Sequence, residues 1–143
     1  MERIKINLPE HFIYREFFSI ENADINEAEH MGNERILIFA NGARQRFFKF
    51  IKFPELDLEN NCGSIIANHS IVYKAEGFLG DKIECEVGFT NCTNYSFDLV
   101  LHFIKNGFTT MAIVRTGIVY FDYKKKEVIE MPEIIKIFYP ENA

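Results

Sequence analysis

The sequence is organised around residues 34–52, which read ERILIFANGARQRFFKFIK. At about 100° per residue, its apolar side chains fall in one arc roughly 120° wide. The arc contains Ile36, Phe39, Ala40, Ala43, Phe47, Phe50 and Ile51, and Leu37 and Phe48 widen it. Asn33 is placed to cap the start, and Pro54 disfavours helix in the residue before it. The pattern predicts one long amphipathic helix over residues 33–53, buried on more than one flank.

The chain on both sides of this helix has the pattern of β-strands. Residues 12–20 form one predicted strand before it, and five more are predicted at residues 65–73, 83–89, 97–104, 109–121 and 127–131. Asn106-Gly107 is a signal for a type I′ hairpin turn. Residues 109–121 are apolar on both faces, which is typical of a central strand covered on both sides.

This order of elements predicts an α+β fold. One helix covers so many strands only if the sheet curls around it. We therefore expect a single domain over residues 1–143, with a curved antiparallel sheet of five to six strands wrapped around one long central helix. Such a sheet leaves part of one face uncovered, which favours pairing with a second copy.

The composition excludes several classes of protein. The chain is 48% apolar and carries a net charge of −5, which argues against a binder of nucleic acid or of anionic membranes. No stretch approaches the roughly 18 apolar residues of a membrane span, and we expect no leader peptide. The three cysteines lack metal-ligand spacing. They predict free thiols in a cytoplasmic protein with no metal site.

Polar residues concentrate in residues 22–33, directly before the helix. This segment holds three carboxylates, one imidazole and three amides. It ends where the unpaired N–H groups of a helix start carry a partial positive charge. If the chain at Asp24 is extended, the side chains of Asp24 and Asn26 project to the same face. The segment suits either a solvated, capped loop or a site that stabilises a developing oxyanion.

Several motifs stand in a recognisable order along the chain. Asp24-Ile25-Asn26 is followed by His30-Met31-Gly32-Asn33, and then by VYKAE (72–76), FDLV (97–100) and TGIVYFDY (116–123). Over about residues 12–133 the chain thereby resembles the hot-dog-fold acyl-CoA thioesterases, the broad family of the hydroxybenzoyl-CoA thioesterases. The family signature at this joint is Asp-x-Asp-x-x-Gly-His-x-Asn-Asn, and the chain is similar to a branch with Asp-Ile-Asn before the loop and His-x-Gly-Asn at the helix start.

The resemblance implies an enzyme that hydrolyses acyl-CoA in a homodimer or homotetramer. Coenzyme A would be part of the substrate, and no other cofactor is expected. The family's catalytic carboxylate falls on Asn26, whose amide can serve neither as nucleophile nor as base. Its first Asp falls on Asp24, while Glu29 stands where the family has Gly and Gly42 where some relatives have a helix Glu.

Thioester hydrolysis needs a polarised carbonyl and an activated water, because the thiol leaves without a strong general acid. We assign polarisation to backbone N–H groups near Gly32 and Asn33. Asp24 is the expected general base, and its replacement by Ala or Asn is expected to lower turnover by about two orders of magnitude or more. The full set of catalytic candidates is Asp24, Asn26, His30, Gly32 and Asn33, with Asn26 and His30 orienting the water.

The substrate-binding candidates are Glu27, Tyr73, Lys74 and Arg115, and Glu27 is also the reserve base. Lys74, Arg115 and the turn at residues 124–126 are candidates for contact with the phosphates of coenzyme A. Two other functions stay open. One is a dehydratase of 3-hydroxyacyl thioesters, which needs a histidine such as His30 paired with a carboxylate across the dimer. The other is a protein that binds an acyl thioester or a fatty acid without turning it over.

Overall fold

The computed structural model describes residues 1–140 of the chain. The long helix α1 spans Glu34–Phe50, and a short helix α2 spans Glu133–Lys136. A 3₁₀ turn at Asn22–Asp24 precedes α1. The strands are β1 (Tyr14–Ser19), β2 (Leu56–Asp57), β3 (Cys62–Tyr73), β4 (Lys82–Thr90), β5 (Ser96–Lys105), β6 (Thr109–Asp122) and β7 (Glu127–Ile129).

The strands form one antiparallel sheet in the order β1-β4-β5-β6-β3-β2, and β7 pairs with the far end of β6. The sheet curls around α1, which confirms the predicted α+β architecture. Six of the seven strands match predicted ones, and the seventh is the two-residue β2. Asn106 and Gly107 both have positive φ, 53° and 92°, as the central residues of a type I′ turn require.

Helix α1 is confirmed, with an earlier end than residue 53. Lys52 adopts a left-handed conformation (φ 60°), which stops the helix. Two side chains differ in burial from what the predicted apolar arc implies. Phe50 lies at the helix end with 66% of its surface exposed, and the ring of Tyr14 lies against it. Arg44 is buried, because its Nε donates to Oε2 of Glu55 at 2.9 Å.

The core between α1 and the sheet contains a cluster of aromatic rings. Phe47 and Phe48 of the helix are fully buried against rings from the sheet. Phe89 and Phe97 meet nearly edge to face, with centroids 5.0 Å apart. Interlocked rings of this kind fix the position of the helix on the sheet, and therefore the position of its first turn.

The opposite face of the sheet is covered by residues 1–13, here called the amino-terminal strap. Ile6 packs in a small apolar cluster with Val72, Val100 and Ile113. Further along, the strap crosses β4 at Gly88, where a Cβ atom would lie only 2.6 Å from the backbone oxygen of His11. The strap therefore accounts for a central strand that is apolar on both faces.

Among the residues that the structure describes there is no bond between cysteines, and Cys62, Cys85 and Cys92 are all buried. Within residues 1–140, no helix combines the length and the apolarity that a membrane crossing requires.

Candidate active site

The segment before α1 folds back on itself as a tight turn. Ile25 and Met31 form a β-bridge, and the N–H of Asn26 donates to the backbone oxygen of His30 at 2.9 Å. The side chain of Asn26 also accepts from the N–H of Ala28 at 2.9 Å. Glu29 takes a left-handed conformation (φ 66°) at this turn. This explains the glycine of the family signature at that position, because glycine adopts positive φ without steric cost.

The backbone then leads directly into the helix. The N–H of Met31 donates to the oxygen of Gly77 (2.8 Å), and that of Gly32 donates to the oxygen of Asp24 (3.1 Å). Asn33 occupies the N-cap position, but its side chain makes no capping hydrogen bond. Within residues 1–140, the N–H groups of Asn33 and Glu34 have no partner. Of the two predicted polarising groups, the N–H of Gly32 is thus already engaged in a hydrogen bond, whereas that of Asn33 is available to bind a ligand. The N–H of Glu34, the next along the chain, is available as well.

A cleft of about 360 Å³ opens beside Asn33, between the turn and the chain that follows β3. Its polar lining consists of Asn26, His30, Asn33, Tyr73, Lys74 and Glu76. Its apolar lining includes Met31, Ile36 and Met111. The cleft therefore joins hydrogen-bonding groups at a helix start to an apolar wall, which is the usual composition of a small-molecule site.

Tyr73 closes one side of the cleft. Its hydroxyl donates to the backbone oxygen of Asn33 at 3.0 Å, which ties the end of β3 to the start of α1. Partial burial and the nearby carboxylate of Glu34 raise the pKa of Tyr73. The phenol therefore stays neutral and remains a hydrogen-bond donor.

His30 presents its imidazole to the cleft with both ring nitrogens unpartnered within residues 1–140. Its ring meets Phe78 edge to face, with centroids 6.5 Å apart. Lys105 supports this wall from behind, because its Nζ lies 5.2 Å from the centre of the Phe78 ring and donates to the backbone oxygen of Glu76 at 2.7 Å.

Asp24 lies outside the cleft lining. The chain there forms a 3₁₀ turn instead of an extended strand, so Asp24 and Asn26 do not share a face. The Asp24 side chain is buried; its Oδ1 accepts from Arg35 at 2.8 Å and its Oδ2 from the N–H of Glu21 at 2.9 Å. Both carboxylate oxygens are therefore engaged in holding the turn against α1.

The remaining candidates divide between the cleft and other surfaces. Tyr73 and Lys74 line the cleft together with Asn26, His30 and Asn33. Glu27 is exposed on the outside of the turn. Arg115 lies on the sheet face opposite α1, where its Nη2 donates to Oγ of Ser70 at 3.2 Å.

Sequence reasoning missed one polar residue of the cleft lining, Glu76, which belongs to the connection between β3 and β4. Glu76 closes the VYKAE motif, and that motif was the available signal. Within residues 1–140, no group of three or more His, Cys, Asp or Glu side chains is arranged to hold a metal ion.

Residues 20–137 match the family model described as the thioesterase-like superfamily. The match spans most of the chain, which therefore belongs to this superfamily. No curated protein sequence matches the chain.

Solved structures share the fold at low sequence identity. A gentisyl-coenzyme A thioesterase is 20% identical, with a TM-score of 0.75 over 89% of this chain and 100% of that chain. A 1,4-dihydroxy-2-naphthoyl-CoA thioesterase from Synechocystis is 13% identical, with a TM-score of 0.77 over 90% of this chain and 96% of the other. A Staphylococcus aureus protein solved in complex with CoA is 13% identical, with a TM-score of 0.79 over 97% and 92%.

Proposed function

We propose that the protein hydrolyses an acyl-CoA thioester in the cleft at the start of α1. The observation that carries the proposal is a cleft lined by Asn26, His30 and Asn33 at the start of α1, where the N–H groups of Asn33 and Glu34 have no partner within residues 1–140. Membership of the thioesterase-like superfamily supports it. So do the names of two structural neighbours, a gentisyl-coenzyme A thioesterase and a 1,4-dihydroxy-2-naphthoyl-CoA thioesterase.

The thioester carbonyl oxygen would accept hydrogen bonds from these two N–H groups. Attack by water on the carbonyl carbon moves negative charge onto this oxygen, and the partial positive charge of the helix start stabilises it. The tetrahedral intermediate then collapses, the C–S bond breaks and the thiolate of coenzyme A leaves. The apolar wall formed by Met31, Ile36 and Met111 would hold the acyl group.

The water needs a group that accepts its proton, and His30 is best placed for this role. An imidazole can accept a proton near neutral pH, and the ring of His30 lies in the cleft with its nitrogens free. Asn26 would position the water through its amide, since its Oδ1 is held by Ala28 and its NH₂ group is left to donate. A general-base role for Asp24 stays a prediction; its engaged oxygens and its place outside the cleft favour a positioning role.

We also propose that the protein works as a homodimer joined at the free edge of β3. One edge of β3 pairs with β6, whereas within residues 1–140 the other edge pairs with β2 at Cys62 and Gly63 and, through the N–H of Ser64, with the backbone oxygen of Glu55 at 2.9 Å. The rest of this edge exposes unpaired backbone groups, which a second copy could satisfy. Tyr73 ends this strand, so such a dimer would place the cleft beside the subunit interface.

Release of free thiol from a panel of acyl-CoA substrates tests the activity. The panel should cover short, long and aromatic acyl groups, and light scattering on the same sample gives the oligomeric state. We expect thiol release for at least one acyl class, from a dimer. A dehydratase would instead produce enoyl absorbance from 3-hydroxyacyl-CoA. Binding of acyl-CoA without thiol release for any acyl group would favour a binding protein, and a monomer in solution would contradict the dimer.

A further inference from the structure

The first residues of the amino-terminal strap line two cavities that adjoin the candidate active site. One, of about 410 Å³, is bounded by residues 1–4 and 71–74; the other, of about 330 Å³, by residues 3–6 with Val72, Lys74 and Ile113. Tyr73 and Lys74 border both the active-site cleft and the first of these cavities. The active-site cleft and the first of these cavities therefore meet at the end of β3, on either side of Tyr73 and Lys74.

The strap is held in place by contacts on the outer face of the sheet. Ile6 is buried against Val72, Val100 and Ile113. At the other end, Pro9 and His11 fill the space that the missing side chain of Gly88 leaves free. These anchors fix the backbone on the carboxyl side of Lys5, so the residues before Ile6 stay beside the end of β3.

The lining of the two cavities is basic although the chain as a whole carries a net charge of −5. Arg3, Lys5 and Lys74 line the two cavities, and Glu2 is the acidic residue among their lining. None of the three basic side chains takes part in an ion pair within residues 1–140. Three unpaired cations next to a substrate cleft are the arrangement that an extended, anionic substrate would use.

We propose that Arg3, Lys5 and Lys74 form a binding site for the phosphates of coenzyme A. The inference rests on the proposed function and goes further, because it names the strap as the part of the chain that recognises the nucleotide end of the substrate. The pantetheine arm would pass Tyr73, and the phosphates would lie in the groove between the strap and the end of β3. Guanidinium and ammonium groups would then bind them through charge-assisted hydrogen bonds.

Two ligands distinguish binding of the phosphates from binding of the thiol arm. Coenzyme A carries the thiol arm and the phosphates, whereas pantetheine carries the same thiol arm and lacks the phosphates. Calorimetric titration of each into the full-length protein gives the two dissociation constants. The test variant is Arg3→Glu with Lys5→Glu. The matched control is Lys49→Glu with Lys52→Glu, which reverses two exposed charges at the far end of α1.

We expect the Arg3→Glu, Lys5→Glu variant to bind coenzyme A at least about tenfold more weakly while its affinity for pantetheine is unchanged. The control should keep both affinities within about twofold. Added salt should weaken the binding of coenzyme A alone, since exposed charges are screened. Equal weakening for both ligands, or no weakening of coenzyme A, overturns the inference. Absence of thiol release for every acyl-CoA would instead overturn the proposed function.

Discussion

The guanidinium of Arg35 holds the carboxylate of Asp24 through two contacts, 2.8 Å from Nη2 and 3.0 Å from Nε, both to Oδ1. Arg35 belongs to the first turn of α1, and Asp24 ends the 3₁₀ turn before it. The pair therefore joins the two sides of the segment that presents Asn26 and His30. This contact gives Asp24 a structural task that the sequence alone did not reveal.

We predict that Asp24→Asn lowers stability more than it lowers turnover. Loss of one partner of a buried charge pair costs about 3 kcal/mol or more, and the partial exposure of Arg35 should reduce this to roughly 2 kcal/mol. Urea unfolding measures the loss, and Arg35→Met should show a similar one. The folded variant should keep turnover within about tenfold. A fall of about a hundredfold or more in a folded sample would restore Asp24 as the general base.

Replacement of His30 by Gln should lower turnover much more than it lowers stability. Turnover should fall by about two to four orders of magnitude, which is the usual contribution of a general base. Stability should change by less than about 0.5 kcal/mol, since the ring makes no hydrogen bond within residues 1–140. Steady-state kinetics and thermal unfolding measure the two effects. His11→Gln is the control, because His11 is exposed on the strap; equal turnover in both variants would exclude the role of His30.

A side chain at Gly88 should displace the strap. In Gly88→Ala the new Cβ atom would lie 2.6 Å from the backbone oxygen of His11 and 2.7 Å from Cγ of Pro9. Overpacking of this kind costs about 1 to 3 kcal/mol. Trypsin should then cut faster after Arg3 and Lys5, as mass spectrometry of the early fragments would show. Unchanged cleavage would mean that the strap does not depend on this contact.

Gly42→Ala makes the same change of residue type as Gly88→Ala, but it should raise the free energy of unfolding instead of lowering it. The nearest neighbours of the new methyl group would be the guanidinium nitrogens of Arg46, at 3.2 Å, and that long side chain can move. Alanine is favoured over glycine inside a helix by about 0.8 to 1 kcal/mol. The variant should therefore unfold at a higher urea concentration with unchanged turnover. A loss of stability would show that the ion pair between Arg46 and Glu16 tolerates no shift.

Alkaline pH should weaken the fold through the buried thiols. Burial raises the pKa of Cys92 from its ordinary value near 9.0 to about 12, and burial also raises the pKa of Cys85. Thiols of the unfolded chain ionise first as the pH rises, so ionisation favours unfolding. The free energy of unfolding should be steady below about pH 9 and then fall by up to about 1.4 kcal/mol per pH unit for each thiol.

Urea unfolding at about pH 8 and about pH 10 measures this effect. The double variant Cys85→Ala, Cys92→Ala is the control, and its stability should depend less on pH over this interval. The same slope in both proteins would assign the alkaline loss to other groups.

The sequence predicted the parts of the fold that hydrophobic periodicity governs. The 3.6-residue period of α1 and the apolar content of β3 to β6 each report burial directly. Burial of a side chain through a partner elsewhere in the chain does not show in this periodicity. Arg44 is charged and yet buried, because Glu55 meets it from beyond the helix end. Phe50 is apolar and yet exposed, because α1 ends beside it.

The candidate site was predictable where local sequence sets local geometry. The turn from Asn26 to Asn33 follows from short-range hydrogen bonds, and the available N–H groups follow from the start of a helix. The position of Asp24 was not predictable, because it depends on a contact with Arg35 eleven residues later. The strap was missed for the same reason, since its contacts join residues 1–13 to strands far along the chain.

The aromatic core has a practical consequence for anyone who studies this protein in solution. Its rings are all phenylalanine and tyrosine, and the sequence contains no tryptophan. A tryptophan introduced at Phe78, beside His30, would thus be the sole source of tryptophan fluorescence. Its emission would report ligand entry and local opening at that one place, without any chemical label.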